Sequence, residues 1–310
     1  MKKHIAALLS LIVLVVAVSG CIGGEEAVSG TATGVIIKSF SPDISEIFSE
    51  DDVTFSLSVE NIGGEDATNV QAKLFGLGTD WSGDDWDGNR IKWIGYLERS
   101  QPDYNVPGGT GDMQWNVKSP VDLKVDNTYT AGVRLTYTYS TTALANIKIY
   151  SNEYLKTNPD KAESIMKSSG IETFSVTNAP IKIELAGLAR PLIYRSDGQV
   201  ASITALLSNI GQGKPYDTGE DDMTITLEKM TVNKQPCSNE LEDTYRIPRT
   251  GKKSIPCQFE LPAIDSYTTI PVEIELSYNY FVDSSTTIKV LKSLYISGGE
   301  GTTSPTMEAP

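Results

Sequence analysis

Hydrophobic and polar residues alternate along several stretches of this chain. Residues 53–60 show the pattern most clearly, because every second residue is apolar: Val53, Phe55, Leu57 and Val59. A period of two predicts a β-strand with one buried and one wet face, as in antiparallel sheets. Residues 201–208 show the same pattern, and the inward positions would be Ala201, Ile203, Ala205 and Leu207.

Both strands end in the same turn, which suggests an internal repeat. The first ends in Asn61-Ile62-Gly63, and the second, 148 residues later, in Asn209-Ile210-Gly211. Asn and Gly tolerate a positive φ, so the chain can reverse there. Residues 135–139 and 147–149 are matched by residues 276–280 and 288–290, both at an offset of 141. These matches predict two β-sandwich domains in tandem.

The pattern apolar-polar-apolar-x-Asn-x-Gly, followed by a strand such as residues 67–74, resembles the CARDB domains of bacterial and archaeal surface proteins. The resemblance covers the front half of each repeat. It implies immunoglobulin-like β-sandwiches and a role at the cell surface, usually in adhesion.

The predicted fold class is therefore all-β, with two tandem immunoglobulin-like β-sandwich domains. Domain 1 would span residues 33–178 and domain 2 residues 179–297, followed by a disordered tail at 298–310. One short helix is expected late in domain 1, at 159–168, because Asn158 suits an N-cap and Pro159 the first turn. It would be the only helix of the mature chain. Residues 130–139 and 144–150 are expected to form a hairpin, and 268–280 and 286–296 two separate strands.

The N-terminus has the features of an export signal. Basic residues at 2–4 precede an apolar run at 5–18, which is too short for a comfortable membrane span. The next residues, Val18-Ser19-Gly20-Cys21, resemble the lipobox of prokaryotic lipoproteins. The resemblance implies a signal peptide at 1–20, a lipid on the Cys21 thiol and a tether at 21–32. The protein would then sit on the extracytoplasmic face of the cell membrane. The alternative is an ordinary signal peptide that happens to meet a cysteine.

Cys237 and Cys257 are the two thiols left once Cys21 carries lipid. An exported chain meets an oxidising compartment, so we predict a disulfide between them. Two buried free thiols are the alternative, and a metal site would lack ligands.

The loop at residues 76–89 is the most distinctive candidate for a ligand site. Acidic and indole side chains crowd there: Asp80, Trp81, Asp84, Asp85, Trp86 and Asp87. Carboxylates at such short spacing can ligate calcium, with Asp84, Asp85 and Asp87 as candidates, although the twelve-residue calcium loop is absent. Exposed indoles could instead stack on a glycan. A structural interpretation places Trp93 and Trp115 in the core, with Trp81 and Trp86 folded over it as a lid.

Charge and histidine content exclude several function classes. The formal net charge of −14 repels phosphate backbones, so we expect no nucleic-acid partner. The single histidine, His4, lies in the signal peptide, so the mature chain cannot hold a serine-histidine triad or a histidine-ligated metal. We therefore expect no enzyme and no cofactor.

The main hypothesis is a lipid-anchored surface protein with a structural or adhesion role. Its partners would be the membrane and other envelope or surface-layer proteins or glycans. The alternative is a module that captures a glycan or calcium through loop 80–89.

Overall fold

The computed structural model describes residues 33–217 and 223–293. The predicted signal peptide, Cys21 with its tether, and the predicted tail lie outside these ranges. Strands dominate the described residues, and the prediction of an all-β sandwich fold is confirmed.

The strands and helices are numbered in chain order. The first half holds β1 (Val35–Pro42), β2 (Glu46–Phe48), β3 (Asp52–Asn61), β4 (Ala67–Phe75), β5 (Ile91–Leu97), β6 (Thr110–Lys118), β7 (Asn127–Ser151) and β8 (Ile171–Val176). The second half holds β9 (Ile181–Ala186), β10 (Leu192–Tyr194), β11 (Val200–Asn209), β12 (Lys214–Tyr216), β13 (Thr224–Val232), β14 (Gln235–Pro236), β15 (Thr244–Arg246), β16 (Lys253–Glu260) and β17 (Tyr267–Leu291). The helices are α1 (Asp84–Asp87), α2 (Asn152–Thr157), α3 (Pro159–Lys167) and a 3₁₀ turn at Pro102–Tyr104.

A central sheet of 11 strands joins the two halves, and its main path runs β14-β13-β17-β7-β4-β5. Two sheets of three strands, β1-β3-β6 and β16-β11-β9, complete the sandwiches. A hydrogen bond crosses the first sandwich, because the Trp115 indole on β6 donates to the carbonyl of Arg90 beside β5, at 2.8 Å.

The long strands β7 and β17 form the middle of the central sheet. Each has 25 residues, and they pair antiparallel from Asn127–Val290 to Tyr150–Tyr267. The predicted hairpin in 130–150 and the predicted break in 281–285 are therefore wrong. Residues 140–143 and 281–285, where the chain would have to turn, contain no Gly, no Pro and no Asn-Gly pair, which tight turns favour.

The two repeats are related by an approximate two-fold axis. An offset of 141 residues takes Thr138 to Asn279, and these two residues are paired neighbours on β7 and β17. Their side chains meet on the axis, where the Thr138 hydroxyl donates to the Asn279 amide oxygen at 2.8 Å. The short strands follow the same symmetry, since β2 adds in parallel to β17 and β10 in parallel to β7.

The buried faces of the long strands are those that the alternation predicts. On β7 the inward residues Val133, Leu135, Tyr137 and Tyr139 are buried, while the residues between them face outward. Fully burying one such apolar side chain contributes about 1.5–3 kcal/mol. A one-residue slip between β7 and β17 would expose the whole set, so the buried face fixes their register.

The predicted helix is present as α3, but the prediction that it is the only one is wrong. Helix α2 directly precedes it. The Ser151 hydroxyl caps α2 by accepting from the Tyr154 amide at 3.0 Å, which favours the start of a helix there. Asn158 occupies the predicted N-cap position of α3, but its side chain makes no capping hydrogen bond there. Its side chain donates instead to the Tyr154 carbonyl at 2.9 Å, at the end of α2.

The predicted domain boundary falls between β8 and β9. Strands on both sides of it belong to the central sheet or pair with it, and the described residues belong to one compact unit. The division at 178/179 remains a prediction about the sequence repeat.

Candidate functional site

The repeated Asn-x-Gly turn builds a buried polar cluster, which we call the Asn–Tyr clamp. In the first repeat, the Asn61 amide oxygen accepts from the Gly63 amide at 3.1 Å and from the Tyr139 hydroxyl at 3.3 Å. Its amide nitrogen donates to the carbonyls of Glu65 and Leu97, at 2.8 and 3.1 Å. The Tyr139 hydroxyl also accepts from the Glu65 amide at 3.1 Å.

The second repeat builds the same clamp. The Asn209 amide oxygen accepts from the Gly211 amide at 3.2 Å and from the Tyr280 hydroxyl at 2.9 Å, and its nitrogen donates to the Gly213 carbonyl at 2.8 Å. A Cβ on Gly211 would lie 2.4 Å from the Tyr280 hydroxyl oxygen, and one on Gly63 only 1.9 Å from that of Tyr139. Any larger residue at position 63 or 211 would therefore clash with the tyrosine hydroxyl of its own clamp.

The other tyrosine of each Tyr-x-Tyr pair binds the first strand of its repeat. Tyr137 accepts from the Val35 amide at 3.3 Å, and Tyr278 accepts from the Ile181 amide at 3.4 Å. Burial raises the pKa of all four hydroxyls, which are those of Tyr137, Tyr139, Tyr278 and Tyr280, well above the usual tyrosine value. These groups stay neutral at physiological pH and hold loops to strands, as in a tyrosine corner.

The acidic loop at 80–89 buries its tryptophans. Trp81 is 2% exposed and packs edge-on to Tyr129 at 5.3 Å, and Trp86 is 3% exposed beneath the Arg90 guanidinium, 3.8 Å from the ring centre. The lid interpretation therefore holds for both. Neither indole offers a free face on which a sugar could stack.

Trp93 contradicts the same interpretation, which placed it in the core. It is 64% exposed, because it lies on the outer face of β5, the strand that ends the path of the central sheet. Its partner on β4 is Gln71, and the next outward pair is Lys73 with Ile91. Two polar residues at the outward positions of β4 are the sequence signal that could have assigned this face to solvent.

The carboxylates of the loop bind other parts of the protein. Asp85 accepts from the Lys92 ammonium at 2.5 Å and from the Asn116 amide at 2.8 Å. Burial raises the pKa of Asp85, but these two hydrogen bonds and the Lys92 charge outweigh it and hold the pKa below its usual value. Asp87 accepts from the Gly83 amide and Asp80 from the Tyr129 hydroxyl, both at 3.1 Å.

Calcium has no support at this loop. In residues 33–217 and 223–293, no group of three or more acidic, cysteine or histidine side chains could hold a metal ion. The candidates Asp84, Asp85 and Asp87 lie in the short helix α1, and the ion pair between Asp85 and Lys92 connects this helix to β5.

The predicted disulfide is confirmed. Cys237 and Cys257 are bonded, with their Cα atoms 5.2 Å apart, within the usual range for such bonds. Cys257 is a buried residue of β16, whereas Cys237 directly follows β14. The bond therefore ties the central sheet to the sheet β16-β11-β9.

The lipid-anchor candidate, Cys21, lies outside the described residues. Within the two ranges that the structure describes, no helix has both the length and the apolar character to cross a bilayer.

No protein-family model matches the chain, and no curated protein matches it. Among solved structures, the chain is similar to Escherichia coli alpha-2-macroglobulin activated by porcine elastase, with 9% sequence identity and a TM-score of 0.15. The match covers 82% of this chain but only 32% of that one, so the chain spans about a third of the length of the structure it matches. At this TM-score the similarity carries no argument.

Proposed function

We propose that this chain is a lipid-anchored extracytoplasmic protein with a structural or adhesion role. The observation that carries the proposal is the Cys237–Cys257 disulfide. Structural disulfides form and persist in oxidising compartments, which agrees with export by a signal peptide at 1–20. The membrane contact would be the lipid on Cys21, and other envelope proteins or glycans would be the partners.

The position of Thr33 and Gly34, the first described residues, supports an anchor close to both repeats. Thr33 is buried, and the carbonyl of Gly34 accepts from the Ile62 amide at 2.9 Å, inside the first Asn-x-Gly turn. A Cβ on Gly34 would lie 2.7 Å from the ring of Pro180, which begins the second repeat. The first described residues thus lie where the two repeats meet, so a lipid at Cys21 would be attached close in sequence to a contact between them.

The central sheet supports a structural role. Strands β7 and β17 are continuous over 25 residues each, which corresponds to a length of about 80 Å. Because both strands run through both sandwiches, bending one repeat against the other would break the ladder between them. The protein is therefore a stiff double sandwich, suited to spacing or presenting surfaces.

Removing the acceptor thiol tests the anchor. A chain with residues 1–20 replaced by an ordinary cleavable secretory signal, and with Cys21→Ser, is expected to leave the membrane fraction. The reason is that each buried CH₂ of a lipid chain contributes about 0.8 kcal/mol to membrane binding. The native chain should remain in the membrane fraction after the same washing.

The double variant Cys237→Ala/Cys257→Ala in the native chain is the matched control, since it removes the other two cysteines but keeps Cys21. It should stay with the membrane. Retention of the Cys21→Ser chain at the native level would contradict the lipoprotein proposal.

A further inference from the structure

The outer face of the central sheet carries a pocket of about 170 Å³ on the side of the first repeat. Its walls come from five strands: Gln71 and Lys73 on β4, Ile91 on β5, Arg134 on β7, Tyr216 on β12 and Phe281 on β17. It lies on the face of the central sheet opposite the buried core. Among these wall residues, only Ile91 follows loop 80–89 closely in sequence.

The floor of the pocket is a fixed stack of an aromatic ring and an ion pair. The Arg134 guanidinium lies 4.2 Å above the Phe281 ring and binds both carboxylate oxygens of Asp283, each at 2.7 Å. Tyr216 packs edge-on against Phe281, with ring centres 5.8 Å apart. The bidentate ion pair and the aromatic ring together fix the position of the Arg134 side chain.

Exposed apolar side chains form the rim. Trp93 is the cross-strand partner of Gln71 and lies on the same face as Ile91, two residues before it on β5. Trp93 is 64% exposed and Ile91 46% exposed. The amide of Gln71 and the ammonium of Lys73 therefore stand between an open indole face and the pocket floor.

The fold itself does not require this arrangement. The two-fold axis takes the pair Arg134–Asp283 to Glu275–Thr142, and it takes Phe281 to Ser140. Both repeats share the Asn–Tyr clamp, but only the first has the guanidinium, the carboxylate and the aromatic ring at these outward positions. A feature that one repeat folds without is not explained by the needs of the sandwich.

We propose that this pocket, with Trp93 at its rim, binds a pyranose ring of a glycan. A pyranose has an apolar face that can cover an indole, and an edge of hydroxyl groups that both donate and accept hydrogen bonds. The pocket holds about one sugar ring, and its wall offers the Gln71 amide, which can donate and accept, and the Lys73 ammonium, which can donate. The inference does not depend on the lipid anchor.

Tryptophan fluorescence gives a direct test with the unmodified chain from residue 22 onward. The indoles of Trp81, Trp86 and Trp115 are buried, so iodide quenching reports mainly on Trp93. The probes are hexasaccharides of β1,4-glucose, β1,4-N-acetylglucosamine, α-mannose and α1,4-galacturonic acid. We expect at least one hexasaccharide of this panel to protect the exposed indole from iodide in a saturable manner.

Calorimetric titration of variants with the protecting glycan locates the site. Trp93→Ala and Gln71→Ala should each weaken binding about tenfold or more, because a lost stacking or hydrogen-bonding contact of about 1.4 kcal/mol has that effect. Tyr104→Ala is the matched control, since Tyr104 is a highly exposed aromatic residue on a different loop. It should bind as the unmodified chain does, and all three variants should keep the unmodified melting temperature.

Two results would overturn the proposal. One is a lack of protection by every glycan in the panel. The other is sedimentation showing that Trp93→Ala abolishes a dimer of the free protein while glycan binding is absent, which would make this face an interface between two copies. Neither result bears on the membrane attachment of Cys21, so this proposal can fail while the anchor stands.

Discussion

Replacing Asn61 by alanine is expected to lower the free energy of unfolding by about 3 kcal/mol. Asn61 is fully buried, and its side-chain amide forms four hydrogen bonds, with Gly63, Glu65, Leu97 and Tyr139. The alanine variant would leave two carbonyls, an amide and a hydroxyl with fewer partners where water does not reach. A cavity would also form at the end of β3, which adds to the loss.

Urea unfolding followed by circular dichroism measures this effect through the midpoint and the slope of the transition. Asn209→Ala is the matched comparison, and its effect should be smaller, because Asn209 is partly exposed and makes three of these bonds. Asn146→Ala, on the exposed face of β7, should cost less than about 0.5 kcal/mol. An Asn61→Ala effect no larger than that of Asn146→Ala would show that the clamp does not hold the sandwich together.

Removing the disulfide is expected to lower the free energy of unfolding by about 3 kcal/mol. The bond closes a loop between residues 20 positions apart, and opening it gives the unfolded chain more freedom on the loop-closure model. The segment between the cysteines contains only short strands and few buried residues, among them Tyr245, Ile247 and Ile255. Packing within this segment therefore compensates little for the lost bond.

The double variant Cys237→Ala/Cys257→Ala tests this prediction without placing a hydroxyl group in the buried position of Cys257. Its unfolding midpoint in urea should fall well below that of the oxidised protein and near that of the reduced protein. Adding reductant to the double variant should change nothing further. Equal midpoints for the oxidised protein and the double variant would mean that the bond adds no stability.

The sequence was sufficient to predict the class of fold and most of its buried face. Period-two alternation marks the inward residues of β3, β7, β11 and β17, because a sheet with one wet face requires it. The repeated Asn-x-Gly and Tyr-x-Tyr motifs identify the internal symmetry. Cysteine counting predicts the disulfide, since only two thiols remain after Cys21 is assigned to the lipid.

The sequence does not reveal the length of β7 and β17. The alternation predicts two strands in place of each, because a strand of 25 residues is far longer than the usual five or six. The missing turn residues at 140–143 and 281–285 were the available signal. Neither strand reveals alone that its partner is the equivalent strand of the other repeat, since pairing between distant segments is a tertiary property.

The exposure of the four tryptophans could not be predicted from their spacing. Acidic neighbours and glycines made loop 80–89 look solvent-exposed, but Trp81 and Trp86 fill the end of the sandwich while the acids bind backbone and lysine. Trp93 looked like a core residue in an alternating strand. Its orientation follows from the pairing of β5 with β4, which sets Trp93 opposite Gln71 and Ile91 opposite Lys73, and this pairing is a tertiary property.

Intact-mass spectrometry of the protein extracted without reductant from its native membranes tests the central proposal most directly. The proposal predicts a chain that begins at Cys21, carries a lipid on that residue, and shows a Cys237–Cys257 bond that gains two hydrogens on reduction. A chain that begins at another residue without lipid, or one whose Cys237 and Cys257 react as free thiols before reduction, would contradict a lipid-anchored extracytoplasmic protein.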